Sequence, residues 1–375
     1  MIYLDNAATT KPDCECLDKA LKYLKEEYFN PSALYAEGYK LNKELRSARE
    51  NILKTIADTQ KFVLEFTSCG TEADNHAVFG GGKRGNVVTT LGEHSAVYST
   101  VNELKRQGTE VRFAELNSDG SVNIANLLSL IDDKTSLVSI IHVNNETGAI
   151  NDILTISREV KAKNSKALFH SDGVQAFGKI PFRLTQNIDL YSVSAHKIGG
   201  IKGCGALIKR KSLVICPHIF GGGQENGARS GTENVFGIKV FEYAATKKYA
   251  CISENFKKVE EIKSALWAEL DKSLFTRIDS GNSSPYILTV IAHGVRGETV
   301  LHEADDLGLI IGTGSACASN EKNRYSRTIL ACRIDKASAD GVLRLSFSPE
   351  NTVDEARTAA QILNKIVSHR KNIMA

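Results

Sequence analysis

Ile188-Asp-Leu-Tyr-Ser-Val-Ser-Ala-His-Lys197 reads as a buried strand that ends in a lysine. Upstream, Ala167-Leu-Phe-His-Ser-Asp172 reads as a second strand, ending in an acid and followed closely by Gln175. Working outward, further β-branched or aromatic runs fall at 62–66, 87–89, 111–113, 137–143 and 206–209, and the two strands above span 167–170 and 188–193. Helical patterns at 72–79, 95–107, 153–162 and 234–249 alternate with them. Alternation of this kind predicts an α/β fold, a mostly parallel seven-stranded sheet with helices on both faces. Several runs are apolar throughout, as expected for strands covered on both sides. In such sheets ligands sit at the carboxyl ends of the strands, where Asp172 and Lys197 are expected.

After about residue 250 the pattern changes. A charged amphipathic helix over 254–271 precedes strand-like segments at 286–291, 309–311 and 343–347. A last helix begins near Thr352, where Thr352-x-x-Glu355 forms a capping box. This predicts a smaller α+β C-terminal domain. The expected division is a large domain over 14–250 and a small one made of 1–13 and 251–375. The stretch 312–340 is polar and opens with Gly312-Thr-Gly-Ser-Ala-Cys317, two glycines ahead of a cysteine. A loop this long is expected to be functional or disordered, with a helix near 326–332.

Composition narrows the class. Among 375 residues, 47 Lys+Arg against 44 Asp+Glu give a net charge of +3, too balanced to point to a nucleic-acid or membrane partner. The first residues carry no basic region followed by an apolar core, and no apolar run is long enough for a bilayer, so a cytoplasmic address is expected. Eight cysteines (14, 16, 69, 204, 216, 251, 317 and 332) include no Cys-x-x-Cys pair, and reduced thiols are expected. No metal is expected.

A lysine amine and a carboxylate at two buried strand ends suit pyridoxal 5'-phosphate. The amine can form a Schiff base with the aldehyde, and the carboxylate can keep a proton on the pyridine nitrogen. Other features extend this reading, each with a plainer one beside it. Thr67-Ser-Cys-Gly-Thr71 joins a strand to a helix, and the unpaired N–H groups of the helix start can bind a phosphate; alone, it is a capped turn. His94, just past a strand end, can stack on a pyridine ring or be an ordinary satisfied histidine. Asn145 can bond a ring oxygen or serve a turn. Arg344 in a predicted strand can fork a carboxylate or form a surface ion pair. Asn30 can assist on that carboxylate or simply precede a proline. The glycine-rich run 221–232, with Arg229 and Thr232, can reach a phosphate across a subunit interface, a weak signal in isolation.

Taken together these residues resemble the NifS/IscS-like cysteine desulfurases of the class-V aminotransferase family. The similarity starts with Tyr3-Leu-Asp-Asn-Ala-Ala-Thr-Thr10 and passes through Asn30-Pro-Ser32, Thr71-Glu72, Glu93-His94 and Val143-Asn-Asn-Glu146. It continues through Asp172-Gly-Val-Gln175, Ser194-x-His-Lys197 and Arg229-Ser-Gly-Thr-Glu-Asn234 to Gly314-Ser-Ala-Cys317 and Arg344. The resemblance implies pyridoxal-phosphate fold type I and an enzyme that turns L-cysteine into L-alanine, leaving a persulfide on Cys317. It implies that Lys197 holds the cofactor, Asp172 pairs with the pyridine nitrogen, Gln175 and Asn145 lie near the ring oxygen, and His94 stacks on the ring. Gly70, Thr71, Ser194 and His196 would bind phosphate, with Thr232 from the other subunit of a homodimer. Arg344 and Asn30 would hold the substrate carboxylate. The long loop implies sulfur transfer to an acceptor protein such as an iron–sulfur scaffold, for cluster assembly or thiolation. A selenocysteine lyase or aminotransferase of the same fold shares everything but the role of Cys317, and a non-catalytic pyridoxal-phosphate-binding regulatory protein is a further alternative. The sequence departs from the family pattern at Cys69, Ile201 and Asn226 and in the charged segment after Cys317.

Overall fold

Seven apolar runs in the first 210 residues join into one sheet. In this computed structural model, which describes residues 1–279, 281–313 and 325–374, the strands are β1 Ile2–Tyr3, β2 Phe62–Thr67, β3 Asn86–Thr90, β4 Val111–Ala114, β5 Thr135–Ser139, β6 Leu168–Asp172 and β7 Leu190–Ser194. They continue as β8 Gly205–Arg210, β9 Phe275–Arg277, β10 Ile287–Ala292, β11 Leu309–Ile310, β12 Gly312–Thr313 and β13 Val342–Ser346. The large sheet has the order β2-β8-β7-β6-β5-β3-β4. Its neighbours are parallel except at β8, which runs antiparallel to both β7 and β2. Parallel strands need long crossovers, and the helices supply them; β7 and β8 are joined by a short turn, so they pair antiparallel.

Alternate side chains leave each strand on opposite faces, which sorts the core into two layers. Leu190, Leu207, Val87 and Leu137 face the helices Gly70–Gly82 and Ser95–Arg106. Tyr191, Ile208, Val88, Val138 and Phe169 face a larger cluster with Leu41, Ile52, Ile156, Val160, Ile238 and Phe241. Those partners come from the helices Ala36–Ile56, Ile153–Lys163 and Val235–Ala250. Helix Ala36–Ile56 is absent from the sequence-based set. Its buried stripe, Leu41, Leu45, Ala48, Ile52 and Ile56, nonetheless keeps three- and four-residue spacing.

A second, antiparallel sheet has the order β12-β13-β10-β9 and packs under the helices Ile252–Glu269 and Val353–Met374. The capping box forms as expected: Thr352 N–H donates to Glu355 Oε2 and Glu355 N–H to Thr352 Oγ1, both at 3.1 Å. Strand β1 pairs with β11, and Leu4 is buried in this second core. The chain's first residues therefore run from the second core into the cleft beside the large sheet.

Some boundaries shift. The expected strand 137–143 stops at Ser139, although Ile140 and His142 still donate backbone hydrogen bonds to His170 and Asp172. The expected strand 188–193 starts at Leu190, because Ile188 N–H is bonded to Thr185 in a turn. Among the described residues of 312–340 there are two short helices where one was expected, Arg327–Ala331 and Lys336–Asp340. Among the described residues no helix is long and apolar enough to cross a membrane.

Candidate active site

Strand ends of the large sheet, the first turn of one helix and the N-terminal segment close around a cavity of about 310 Å³. Gly70, Thr71, His94, Asn145, Asp172, Gln175, Ser194, His196, Lys197 and Arg344 all line it. Asn30 and Thr232 do not. Asn30 is exposed and its Oδ1 accepts from Ser32 N–H at 2.9 Å; Thr232 is exposed in the glycine-rich run. Cys317 lies outside the described residues.

At one end, helix Gly70–Gly82 begins with Cys69 at its N-cap, and no side chain accepts from its first N–H groups. Such a helix start attracts an anion. Ser194 Oγ is buried beside it with no hydrogen-bond partner among the described residues. A Cβ on Gly70 would lie 2.8 Å from Val174 Cγ2 and 3.4 Å from Ser194 Cβ, so the cup closes tightly on a residue without a side chain. Cys69 itself has φ −171°, extended backbone open to any residue, so this departure from the family pattern does not strain the turn.

At the middle of the cavity Asp172 ends β6. Val174 N–H donates to its Oδ1 at 2.9 Å, and burial pushes its carboxyl up to about 6 against the opposing pull of that N–H and of Lys197. Gly173 follows it because the Tyr191 ring occupies the space a side chain would need, 1.9 Å from a Cβ. His94 caps helix Ser95–Arg106, its Nδ1 accepting from Ala96 N–H at 3.1 Å. Burial, then the charges of Lys197, Arg327 and Arg344, pull its pKa down to about 4. The ring is therefore neutral at pH 7, and because Nδ1 accepts, the proton resides on Nε2.

Lys197 closes the 3₁₀ turn after β7 and donates to the Ala7 and Ala8 carbonyls at 2.6 and 2.7 Å. His196 Nδ1 meets Thr9 Oγ1 at 3.1 Å. Arg344 on β13 donates from Nη1 to the Asn145 carbonyl at 3.0 Å and from Nη2 to Asp5 Oδ1 at 2.9 Å, while its buried Nε has no partner among the described residues. A guanidinium among the residues that line the cavity is what a substrate carboxylate requires.

Several residues of the site were not singled out from sequence. Asp5, Ala7 and Ala8 had no individual role in that reading, yet they anchor Arg344 and Lys197. Asp74, on helix Gly70–Gly82, is buried within 4.8 Å of His94 and Asp172, and burial and the Asp172 charge push its carboxyl well above the usual range. Its spacing from Ala73 and Ala77 on a helix face of small residues was a signal that could have been read. Glu93 is buried too, accepting from Thr90 Oγ1 and Ile141 N–H at 3.0 Å each.

The aminotransferase class-V family profile matches residues 2–358. The chain belongs to the class-V aminotransferases, in their NifS/IscS-like group. It is 35% identical to a cysteine desulfurase IscS of Clostridium botulinum (strain Hall), over 99% of this chain and 96% of that protein. A solved NifS-like protein superposes with a TM-score of 0.91 at 33% identity, covering 98% of this chain and 99% of the other. A structure of SspA in complex with cysteine superposes with a TM-score of 0.81 at 26% identity, covering 94% and 100%.

Class-V aminotransferases work with pyridoxal 5'-phosphate, and this cavity fits it. The orphaned Ser194 Oγ and the uncapped helix start offer donors for a phosphate, and the Gly70 cup leaves room for it. The Asp172 carboxyl, which lines the cavity with Lys197, offers the counter-charge for a protonated ring nitrogen. The charged segment after Cys317 lies outside the described residues, and the departures at Asn226 and Ile201 are compatible with the backbone. Asn226 adopts φ 55°, a left-handed conformation that asparagine tolerates better than a basic residue does. Next to it Glu225, at φ 52°, is held by Phe66 N–H at 2.9 Å and by Arg49 Nη2 at 3.0 Å. Ile201 packs against the large core.

Proposed function

We propose that this protein is an L-cysteine desulfurase whose Cys317 receives the substrate sulfur. The observation that carries the proposal is a single cavity lined by an amine, a carboxylate and a guanidinium, those of Lys197, Asp172 and Arg344. The cofactor supplies an aldehyde for amines and a ring that accepts an electron pair. Everything else falls to the chain's own side chains. Lys197 would hold the cofactor and then move the substrate α-proton. Asp172 would keep the ring nitrogen protonated. His94 would stack on the ring. Gly70, Thr71, Ser194 and His196 would take the phosphate, and Gln175 and Asn145 would bond the ring oxygen. Arg344 orients the substrate carboxylate; Asn30 would have to leave Ser32 to join it.

The Cys317 thiolate attacks the substrate sulfur. A sulfur–sulfur bond forms, the carbon–sulfur bond breaks, and its electron pair stays on carbon, which is protonated to give the methyl group of alanine. We further assign a homodimer, supported by the exposed Thr232 and by the exposed Val214 and Phe220 near the glycine-rich run. A cytoplasmic setting is supported by the unpaired thiols of Cys14, Cys16, Cys69, Cys204, Cys216, Cys251 and Cys332. We also assign a sulfur-acceptor protein such as an iron–sulfur scaffold, from the resemblance of the chain to the NifS/IscS-like group. Burial of Leu4 in the second core supports a small domain of 1–13 with 251–375 and a large one of 14–250.

The test is alanine formation from L-cysteine by the purified holoprotein, beside Cys317→Ala. The proposal expects alanine from the wild type and its loss in the variant. Alanine formation that survives the substitution would move the protein to a lyase of the same fold, and a keto acid in place of alanine would move it to an aminotransferase.

A further inference from the structure

Lys179 stands outside every role assigned above. It is only 4% exposed, and its Nζ donates to Gln175 Oε1 at 2.8 Å. The Tyr286 ring, from the second core, covers it at 5.8 Å from the ring centroid. The two residues are four apart on one buried turn, in which Lys179 and Ile180 N–H both bond to the Ala176 carbonyl. The other side of the Gln175 amide is fixed as well, since Nε2 donates to the Ala7 carbonyl at 2.8 Å. That carbonyl is the one that also accepts from Lys197 Nζ at 2.6 Å. Lys179, Gln175, Ala7 and Lys197 thus form one hydrogen-bonded chain along the wall of the cofactor cavity.

The chain dictates which way the amide points. A carbonyl can only accept, so the nitrogen of Gln175 must face Ala7; an ammonium can only donate, so the oxygen must face Lys179. One N–H of Gln175 is then spent on Ala7 and the other is left for the cavity that Gln175 lines. With the Lys179 contact removed, only the Ala7 carbonyl orients the amide, and an oxygen that swings toward the cavity would present a carbonyl to a ring oxygen where a donor is needed.

We propose that Lys179 is a positioning residue, which fixes the Gln175 amide so that its free N–H points at the ring oxygen of the bound cofactor. The proposal rests on the cofactor site argued above and on the placement of Gln175 in it. The charged and titratable groups around this chain are Lys197, Lys248 and Arg344 near Lys179, with Asp172 and His94 across the cavity. Burial, with those three cations, lowers the pKa of Lys179; neutral or charged, the amine still donates to Oε1.

The experiment is a double-mutant cycle on the holoprotein, read by the pH midpoint of the cofactor's visible absorbance. A donor to the ring oxygen weakens proton binding at the linkage it shares with Lys197, so losing that donor raises the midpoint. Lys179→Met is expected to raise it by about one pH unit, and Gln175→Leu by a similar amount. The double variant is expected to show no further rise over Gln175→Leu, because Lys179 acts through Gln175. An unchanged midpoint in either single variant would overturn the proposal. So would an equal rise from K179M in both backgrounds, which would mean that Lys179 acts by its charge alone. Lys179→Gln covers the case in which the methionine variant does not fold. It keeps a donor, so a rise smaller than that of Q175L, and absent in the Q175L background, supports the proposal; equal rises in both backgrounds overturn it. A wild type that shows no visible band would overturn the cofactor site and this inference together, whereas a band with an unmoved midpoint overturns this inference alone.

Discussion

Gly70→Ala probes the phosphate end of the cavity with a single methyl group. Gly70 carries no left-handed φ, so alanine can adopt its backbone, and any cost must come from space. The new Cβ would sit 2.8 Å from Val174 Cγ2, where carbon atoms normally stay about 3.5–4.0 Å apart. Opening that contact pushes either Val174 or the helix start into the cup that Ser194 shares. Overpacking of this size costs about 1–3 kcal/mol. If the bound state bears it, the dissociation constant of pyridoxal phosphate rises between about 5- and 150-fold. Titration of the apoprotein with the cofactor, followed by visible absorbance, measures this, and thermal unfolding of the apoprotein separates a folding cost from a binding cost. Val174→Ala removes the clashing Cγ2, so the double variant is expected to recover most of the affinity. Wild-type affinity in G70A, or no recovery in the double variant, would refute the placement of the phosphate at this helix start.

Other outcomes follow from the same geometry. Arg344→Lys keeps the charge but loses the fork, so KM for L-cysteine is expected to rise about 10- to 100-fold with a smaller change in kcat, read from steady-state alanine formation. Burial raises the Glu93 carboxyl to about 8, so this group stabilises the fold below about pH 4.5 and loses that contribution as pH rises through 8. Glu93→Gln lacks the dependence, and its stability relative to wild type is expected to grow between pH 5 and 8 by up to about 1.4 kcal/mol per unit, measured by urea unfolding of the apoprotein. Thr352→Ala removes one half of the observed capping box and is expected to cost about 1 kcal/mol in the same assay, with no change in cofactor affinity.

The parts legible in sequence were those that chemistry ties to strand ends. Asp172, Ser194 and Lys197 sit where parallel strands stop, and one glance at an apolar run followed by a polar residue finds them. The large sheet was readable for the same reason, since strands buried on both faces leave continuous apolar runs. Asp5, Ala7 and Ala8 were hidden because their partners, Arg344, Gln175 and Lys197, lie far along the chain, and two of their contributions are backbone carbonyls that no side-chain pattern advertises. Asp74 and Lys179 were hidden because a lone acid or base within a helix or turn looks like a solvated face until its burial is known. Helix Ala36–Ile56 was a missed signal: its apolar stripe was present, but the charged residues between masked it. The extension of 137–143 beyond Ser139 failed because apolar residues stay buried there even after the regular ladder ends.

The measurement that bears most directly on this account is borohydride reduction of the cofactor-loaded protein followed by peptide mapping. The lysine at the end of β7 faces the cavity, with Asp172 across from it. A pyridoxyl adduct confined to Lys197 is the predicted result. An adduct on Lys179 or another lysine, or none at all, would contradict the site on which the proposed chemistry depends.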